Sequence, residues 1–432
     1  MTGVIGRVNG AREVARRGAE RARAAVRGWG VLPARTRRRF LLVGLLPVIV
    51  ASLAFSGFSP TDLQVYRFGA LALAAGHDVY GPLPVPRGSN PLPFIYPPFA
   101  AVAFLPLALP SLPLAALAMD ALSAGSLAMT LHLVIRRIWT TASRRVACGF
   151  AVALSLVCVA LEPVRETFSF GQVNLVLMAL VAVDCLNDRP RWRRGILVGI
   201  AVAVKVTPAV FILFFLLRKD FRAARNSVLS GAVVCGLCWL IAPDATRRYF
   251  LGGELTGASG LSGSPYATNQ TIAGALNRLT LPQVWHETLW LVLSIATLVV
   301  GVIAIRRADR LMALILTALT GLVLSPISWS HHWVWIAPAL MLLGGRALRA
   351  ANPAALGGVL LAGVIFIVAP HSHLPATHGR ELTWTPWEHV IGDSYLLLGL
   401  AFLAWNAFRP LVRQRCADAR LVDAEPTAPT SG

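Results

Sequence analysis

Residues 195–219 read GILVGIAVAVKVTPAVFILFFLLRK. The run is apolar over the length of a bilayer span, about 20 residues. Lys205-Val206-Thr207-Pro208 interrupts it, and basic residues stand at both ends: Arg193 and Arg194 before it, Arg218, Lys219, Arg222 and Arg225 after it. Basic residues mark the cytoplasmic ends of membrane helices. Two half-length helices broken at 205–208 fit a segment that is basic at both ends. Broken helices at membrane depth are tolerated only where they line a cavity or lie buried in protein. Lys205 is costly at that depth, which makes it a functional candidate. Its counter-charge is either a lipid phosphate or an intramembrane acid such as Asp184.

The rest of the chain has the same character. Of 432 residues, 56% are hydrophobic and 14% charged, with mean hydropathy +0.64; soluble domains carry nearer about 25% charged residues. Apolar runs recur from residue 40 to residue 408, with room for roughly ten to twelve spans. They are continuous rather than alternating, which excludes a β-barrel. The expected fold class is therefore an all-α polytopic membrane protein. The net charge of +20 would suggest nucleic acid on a soluble protein, but here the basic residues cluster between spans, as membrane topology requires. No nucleic-acid partner is expected. Of the six cysteines, Cys235 and Cys238 form a C-x-x-C inside an apolar span with no second pair, so neither zinc nor redox chemistry is indicated.

Charge sets the expected topology. Residues 1–39 hold eleven arginines and two glutamates and read as a cytoplasmic basic tail. Arg37-Arg38-Arg39 mimics an export signal, but the many later spans favour an uncleaved first span at 40–56. Residues 57–97 then lie outside. The stretch 98–135 must cross an odd number of times, broken at Pro106, Pro110 and Pro113. Further spans run to 391–408, and both termini fall inside. The division is a tail at 1–39, a membrane domain at 40–408 and a cytoplasmic end at 409–432, in the plasma membrane. Inside loops are short and arginine-rich. The outside loops, 57–97, 162–171, 244–285, 330–332 and 371–390, are more varied, which places candidate chemistry on the extracytoplasmic face.

On that face, Asp62 opens a helix predicted over 61–75, lying along the membrane surface and capped by Ser59 or Thr61. Asp62 either complements the helix dipole or acts as a catalytic carboxylate. Tyr66 follows on the same helix. Tyr96-Pro97-Pro98 re-enters the membrane, and Tyr96 is a rigid-turn or belt aromatic or a substrate contact. Glu162, Gln172 and Asn174 flank a span mouth, where they bind sugar hydroxyls or cap helix ends. A glycine- and serine-rich loop at 257–268 leads into Asn269-Gln270-Thr271 and a short amphipathic interfacial helix ending at Arg278, a lid arrangement. Arg278 meets a phosphate or lipid head groups. Ser325-Pro326-Ile327-Ser328-Trp329-Ser330-His331-His332 makes the tightest outside turn. Adjacent residues on a helix point about 100° apart, and no acid or cysteine neighbours the histidines, so His331 and His332 suit phosphate or hydroxyl contact better than metal.

In this order, Asp62 with Val65-Tyr66, Gly76-His77-Asp78-Val79-Tyr80, Tyr96-Pro97-Pro98, Gly171-Gln172-Val173-Asn174, Lys205-Val206-Thr207-Pro208, Asn269-Gln270-Thr271 and the histidine turn resemble glycosyltransferase family 87. The resemblance covers roughly residues 40–408, and its specificity lies in the ordered set. It implies the GT-C fold and a polyprenyl-phosphate-mannose-dependent α-(1→2)-mannosyltransferase. The implied acceptor is a glycolipid of phosphatidylinositol mannoside, lipomannan or lipoarabinomannan synthesis. It implies Asp62 as the catalytic carboxylate of the first loop, expected to act as general base, and the histidine turn as part of donor-phosphate binding. Thr271 stands where the family pattern leads one to expect serine. The expected mechanism is direct displacement with inversion. Lys205, His331, His332 and Arg278 form the pool of leaving-phosphate stabilisers. Tyr66, Tyr96, Glu162, Gln172, Asn174, Asn269 and Gln270 are the substrate contacts. No nucleotide needs clamping, so neither a metal nor another cofactor is expected beyond the lipid-linked donor. The competing readings are a secondary transporter or lipid flippase, which the helix break would suit, and a structural partner in an envelope complex.

Overall fold

The computed structural model describes residues 60–188, 190–257 and 264–409. The basic tail, the first span at 40–56, half of the glycine- and serine-rich loop and nearly all of the cytoplasmic end lie outside the described residues. The described chain is helical: α1 Thr61–Ala74, α2 Pro98–Ala108, α3 Leu112–Ile138, α4 Arg144–Cys158, α5 Glu162–Phe170, α6 Asn174–Leu186, α7 Ile196–Val204, α8 Val210–Leu217, α9 Phe221–Ile241, α10 Pro243–Leu251, α11 Ile272–Arg278, α12 Gln283–Arg307, α13 Arg310–Leu324, α14 Ile336–Arg349, α15 Pro353–Val368, α16 Pro386–Gly392 and α17 Ser394–Phe408.

Among the described residues four helices are long and apolar enough to cross a membrane: α3, α9, α12 and α15 with the turn after it. Two bent pairs, α4 with α5 (85°) and α16 with α17 (70°), raise the number to six if each is one span. The apolar helices α2, α6 and α13 and the segment Thr207–Leu217 are 10–17 residues long. At 1.5 Å per residue such helices cover about 15–25 Å of a core about 30 Å thick. The larger number expected from the apolar runs treats these short and bent helices as full spans. The stretch 98–135 divides at 109–111 into the 11-residue α2 and the 27-residue α3.

The 195–217 segment is broken. Helix α7 stops at Val204, Lys205 is extended (φ −150°, ψ 131°), and a 3₁₀ turn at Thr207–Ala209 leads into α8. Pro208 has no N–H to continue an α-helical ladder. Asp184 does not partner Lys205. Its carboxylate instead accepts the backbone N–H groups of Gly195 (2.9 Å) and Val198 (3.0 Å) and the Trp192 indole N–H (3.2 Å), serving as a remote cap for α7.

One end of the bundle is knitted together by arginines. Arg137 donates to Asp188 and to the Leu186 carbonyl, Arg310 lies 3.7 Å from Asp188, and Arg194 lies 3.6 Å from Asp220. Arg218 donates to the Ala308 carbonyl, Arg307 to that of Ala407, and Arg346 to Asp309. Helices also begin at this end on side-chain caps: Ser143, Asp220, Asp309 and Asn352 accept first-turn N–H groups of α4, α9, α13 and α15. The helix termini and the basic residues thus stabilise one layer together.

At the opposite end α1 packs along α2. Its buried face holds Leu63, Val65, Tyr66 and Ala70, and the absence of a side chain at Gly69 makes room for the Phe94 ring, which a Cβ would meet at 2.3 Å. The N-cap residue is Pro60, which makes no side-chain cap, and Thr61 is the first helical residue rather than the cap; Ser59 lies outside the described residues. Asp62 stands in the first turn, where its charge also complements the helix dipole.

Candidate active site

Four separate segments bring their polar groups together above α1. Helix α5 ends at Gly171 in the left-handed region (φ +65°), where a Cβ would also stand 2.8 Å from Leu63 Cβ. Glycine alone satisfies both conditions, and the resulting reversal aims Gln172 at α1. The Gln172 Nε2 group donates to Asp62 Oδ2 (2.7 Å), and its Oε1 accepts the Tyr66 hydroxyl (2.6 Å). Tyr66 and Tyr96 hydroxyls lie 3.3 Å apart, and the Tyr80 hydroxyl donates to the Tyr96 carbonyl at 2.9 Å. Tyr66 stacks on Phe104, so the aromatic wall is fixed from behind.

The second half comes from the helix break and the histidine turn. Lys205 Nζ donates to Asn174 Oδ1 (3.1 Å), lies 3.1 Å from His332 Nε2, and stands 5.6 Å from the centre of the Tyr96 ring. An unwound backbone at Lys205 lets the ammonium reach sideways out of the α7 axis rather than along it. The other Asn174 amide group, Nδ2, donates to the His331 carbonyl (3.0 Å), as does the Thr167 hydroxyl (3.0 Å). Asn174 therefore bridges the lysine and the histidine turn.

Two opposite charges face this pocket. Asp62 is only partly buried, Lys205 is buried, and each lies within reach of the other's field. Burial pushes the Asp62 carboxyl up to about 6, against the opposing pull of the Gln172 hydrogen bond and the Lys205 charge. His331 Nε2 is buried with no hydrogen-bond partner among the described residues, and its ring meets those of Phe170 and His332 edge-on. From His332 and Asn174 an apolar cleft leads away between α6, α8 and α13, lined by Leu177, Met178, Phe211, Leu322 and Trp335.

The structure separates other sequence candidates from this pocket. Glu162 is buried. It accepts the Ser330 hydroxyl (2.6 Å) and the Tyr395 hydroxyl (3.1 Å), tying the histidine turn to α5 and α17. Asn269 accepts the Ser328 N–H (3.1 Å) and donates to the Ser264 carbonyl (3.0 Å). Gln270 donates to the Ala267 and Gly392 carbonyls (2.7 and 2.6 Å), and its backbone N–H donates to the Ser328 carbonyl (3.0 Å). Thr271 caps α11 through the Gly274 N–H (2.9 Å). Arg278 is fully buried against Asp393 and donates to the carbonyls of Tyr266 (2.8 Å), Pro265 (3.2 Å) and Asn269 (3.2 Å). Asn269, Gln270 and Arg278 thus buckle the 264–278 segment onto the histidine turn, and apart from the buried Arg278 Nε their side-chain groups are occupied by protein. Helix α11 is largely buried rather than an open interfacial helix, because the Arg278–Asp393 pair pulls it inward. Thr167 and Tyr395 belong to no motif, Ser330 sits within the histidine-turn motif without a role assigned to it, and sequence reading misses how all three orient the turn. The signal lies only in their placement.

Comparison with known proteins bears out the family resemblance. The family model described as glycosyltransferase family 87 matches residues 94–326. The chain is 36% identical to a polyprenol-phosphate-mannose-dependent alpha-(1-2)-phosphatidylinositol mannoside mannosyltransferase of Mycolicibacterium smegmatis, over 94% of this chain and 97% of that one. It is also 36% identical to a polyprenol-phosphate-mannose-dependent alpha-(1-2)-phosphatidylinositol pentamannoside mannosyltransferase of Mycobacterium tuberculosis, over 87% and 88% of the two chains. Among solved structures it is similar to ArnT from Cupriavidus metallidurans bound to undecaprenyl phosphate, at 15% identity and a TM-score of 0.44, over 91% of this chain and 80% of that one. With a family model matching over half its length and relatives of this identity matching nearly all of it, the chain belongs to glycosyltransferase family 87.

Proposed function

We propose that this protein moves mannose from polyprenyl-phosphate-mannose to a glycolipid acceptor of the phosphatidylinositol mannoside or related lipoglycan type. The new bond is α-(1→2), and the anomeric centre is inverted. The observation that carries this reading is the facing of Asp62 against the Lys205–His332 pair across the Gln172–Tyr96 platform. A transfer needs a proton acceptor on one side of the anomeric carbon and a sink for negative charge on the other.

In the proposed reaction the acceptor hydroxyl gives its proton to the Asp62 carboxylate as its oxygen forms the new bond to the anomeric carbon. The bond from that carbon to the phosphate oxygen breaks, and its electron pair leaves with the polyprenyl phosphate. Lys205 and His332 meet the charge on that leaving group. A phosphate leaves without much protonation, so one carboxylate acting as base suffices. Gln172 holds Asp62 in place, and Tyr66 and Tyr96 form the wall against which the sugar rests. The apolar cleft that starts at His332 and Asn174 suits the first isoprene units of the donor.

The proposed face is extracytoplasmic. Support comes from the arginine-knitted layer, which gathers at the helix ends away from Asp62 and follows the positive-inside rule. The test is direct. Purified protein is incubated with polyprenyl-phosphate-mannose and a panel of inositol-mannoside acceptors, and products are read by mass spectrometry with linkage analysis. A mannosylated product in α-(1→2) linkage is expected. Absence of transfer from any lipid-linked sugar to any acceptor in the panel would overturn the reading.

A further inference from the structure

The arginine-knitted end contains a cavity of about 360 Å³ between the C-terminal ends of α3 and α14 and the start of α13. It lies a helix length from the histidine turn. Helix α13 runs 15 residues from Arg310 towards that turn and α14 returns 14 residues from it, about 20 Å in each case.

Arg137, Arg310, Arg346 and Arg349 line this cavity together with Asp309. Asp309 already caps α13 through one oxygen and takes Arg346 on the other. Asp188, the other nearby carboxylate, is shared by Arg137 and Arg310 and is 74% exposed. Arg349 pairs with no carboxylate among the described residues and reaches only the Gly345 carbonyl, at 3.3 Å. Four guanidinium groups therefore meet two carboxylates, and the side chains of Arg137, Arg310 and Arg346 remain 24%, 30% and 37% open. Leu311 and Leu342 form an apolar wall beside them.

Guanidinium forks match phosphate oxygens in pairs. A volume of this size is within the range of small-ligand pockets, about 300–1,000 Å³. Basic pockets between membrane helices suit anionic head groups, and the leucine wall favours a ligand whose charge continues into hydrocarbon. We propose that this cavity holds the phosphate of an anionic membrane phospholipid, with Arg346 and Arg349 as its principal ligands and the glycerol and first methylenes against Leu311 and Leu342. The site is separate from the transfer pocket and does not depend on the proposed reaction.

The test uses the full-length protein in neutral detergent. Phosphatidylglycerol, phosphatidylcholine and inorganic phosphate are titrated separately, reading the thermal midpoint and the lipid retained in native mass spectrometry. Phosphatidylglycerol is expected to raise the midpoint and to be retained, and the other two are not. Arg349→Ala removes no contact the fold needs and is expected to weaken retention about fivefold, the effect of one cation near a lipid surface. Arg346→Ala with Arg349→Ala weakens it further, while the distant Arg380→Ala leaves it unchanged. Equal retention of phosphatidylcholine overturns the proposal. So does an equal shift with inorganic phosphate, which would point to a free anion. Wild-type retention by both cavity variants, or an equal loss in Arg380→Ala, also overturns it.

Discussion

Two polar clusters lie close to the histidine turn, and they differ in what their groups have left to bind. In the first, Asn269, Gln270 and Arg278 are buried, and their side chains, apart from the enclosed Arg278 Nε, are taken up by backbone carbonyls, backbone N–H groups and Asp393. In the second, Asp62 and His332 remain partly open, and His331 Nε2 has no partner among the described residues. Buried polar groups that are fully paired stabilise and specify a fold. Groups held in place with capacity left over are the ones available to a substrate. Burial and polarity alone do not separate scaffold from site; hydrogen-bonding capacity left over on partly open side chains such as Asp62 and His332 does.

The largest expected effect is that of Asp62→Asn. Transfer should fall by roughly 10²–10⁴-fold, the contribution of a positioned base, with the thermal midpoint unchanged or raised at neutral pH. The sign follows from the raised pKa: the folded state favours the protonated carboxyl, so ionised Asp62 disfavours folding above its unfolded pKa and the neutral amide removes that effect. Near wild-type turnover in single-turnover assays would remove Asp62 from the chemistry.

Arg278→Ala should act on the other cluster and in the other currency. Removing one partner of a buried pair leaves Asp393 uncompensated and costs about 3–5 kcal/mol of stability, seen as a lowered thermal midpoint or poor recovery from the membrane. A variant that keeps full stability but loses donor affinity would move Arg278 from scaffold to site.

Lys205→Ala should lower the transfer rate by about 10²–10³-fold, as for a lost charge stabiliser, with the larger loss in the chemical step rather than in acceptor binding. Loss confined to acceptor KM would place Lys205 elsewhere in the reaction. The mildest expected effect is of pH. The active form of Asp62 is the carboxylate, and it is lost as pH falls through about 6. Transfer should be level above pH 7 and drop about tenfold by pH 5, since a base acts only in its ionised form. An acid limb that persists unchanged in a slower Asp62→Glu variant, or that sits near pH 4, would assign the limb to another group.

Much of the fold is legible without coordinates because hydrocarbon imposes strict rules on a chain. Apolar runs, arginine-rich loops and the Lys205-Val206-Thr207-Pro208 interruption each follow from the cost of placing charge or unpaired backbone in lipid. The number of full spans is less legible, since composition does not show where α4 turns by 85° into α5.

For the site, the sequence by itself determined which side chains are candidates, most of them in the segments between apolar runs and Lys205 inside a broken one. It also determined family membership, through motifs in a fixed order. Only the tertiary structure decided which candidates meet. Gln172 joins Asp62 because Gly171 reverses the chain against Leu63, and Lys205 joins Asn174 and His332 because the helix unwinds there. Arg278 and Asn269 are drawn into the scaffold by partners 115 and 59 residues away in sequence. The physical reason is that a polar side chain's role depends on whether its hydrogen bonds are already satisfied, and those partners are supplied by distant segments.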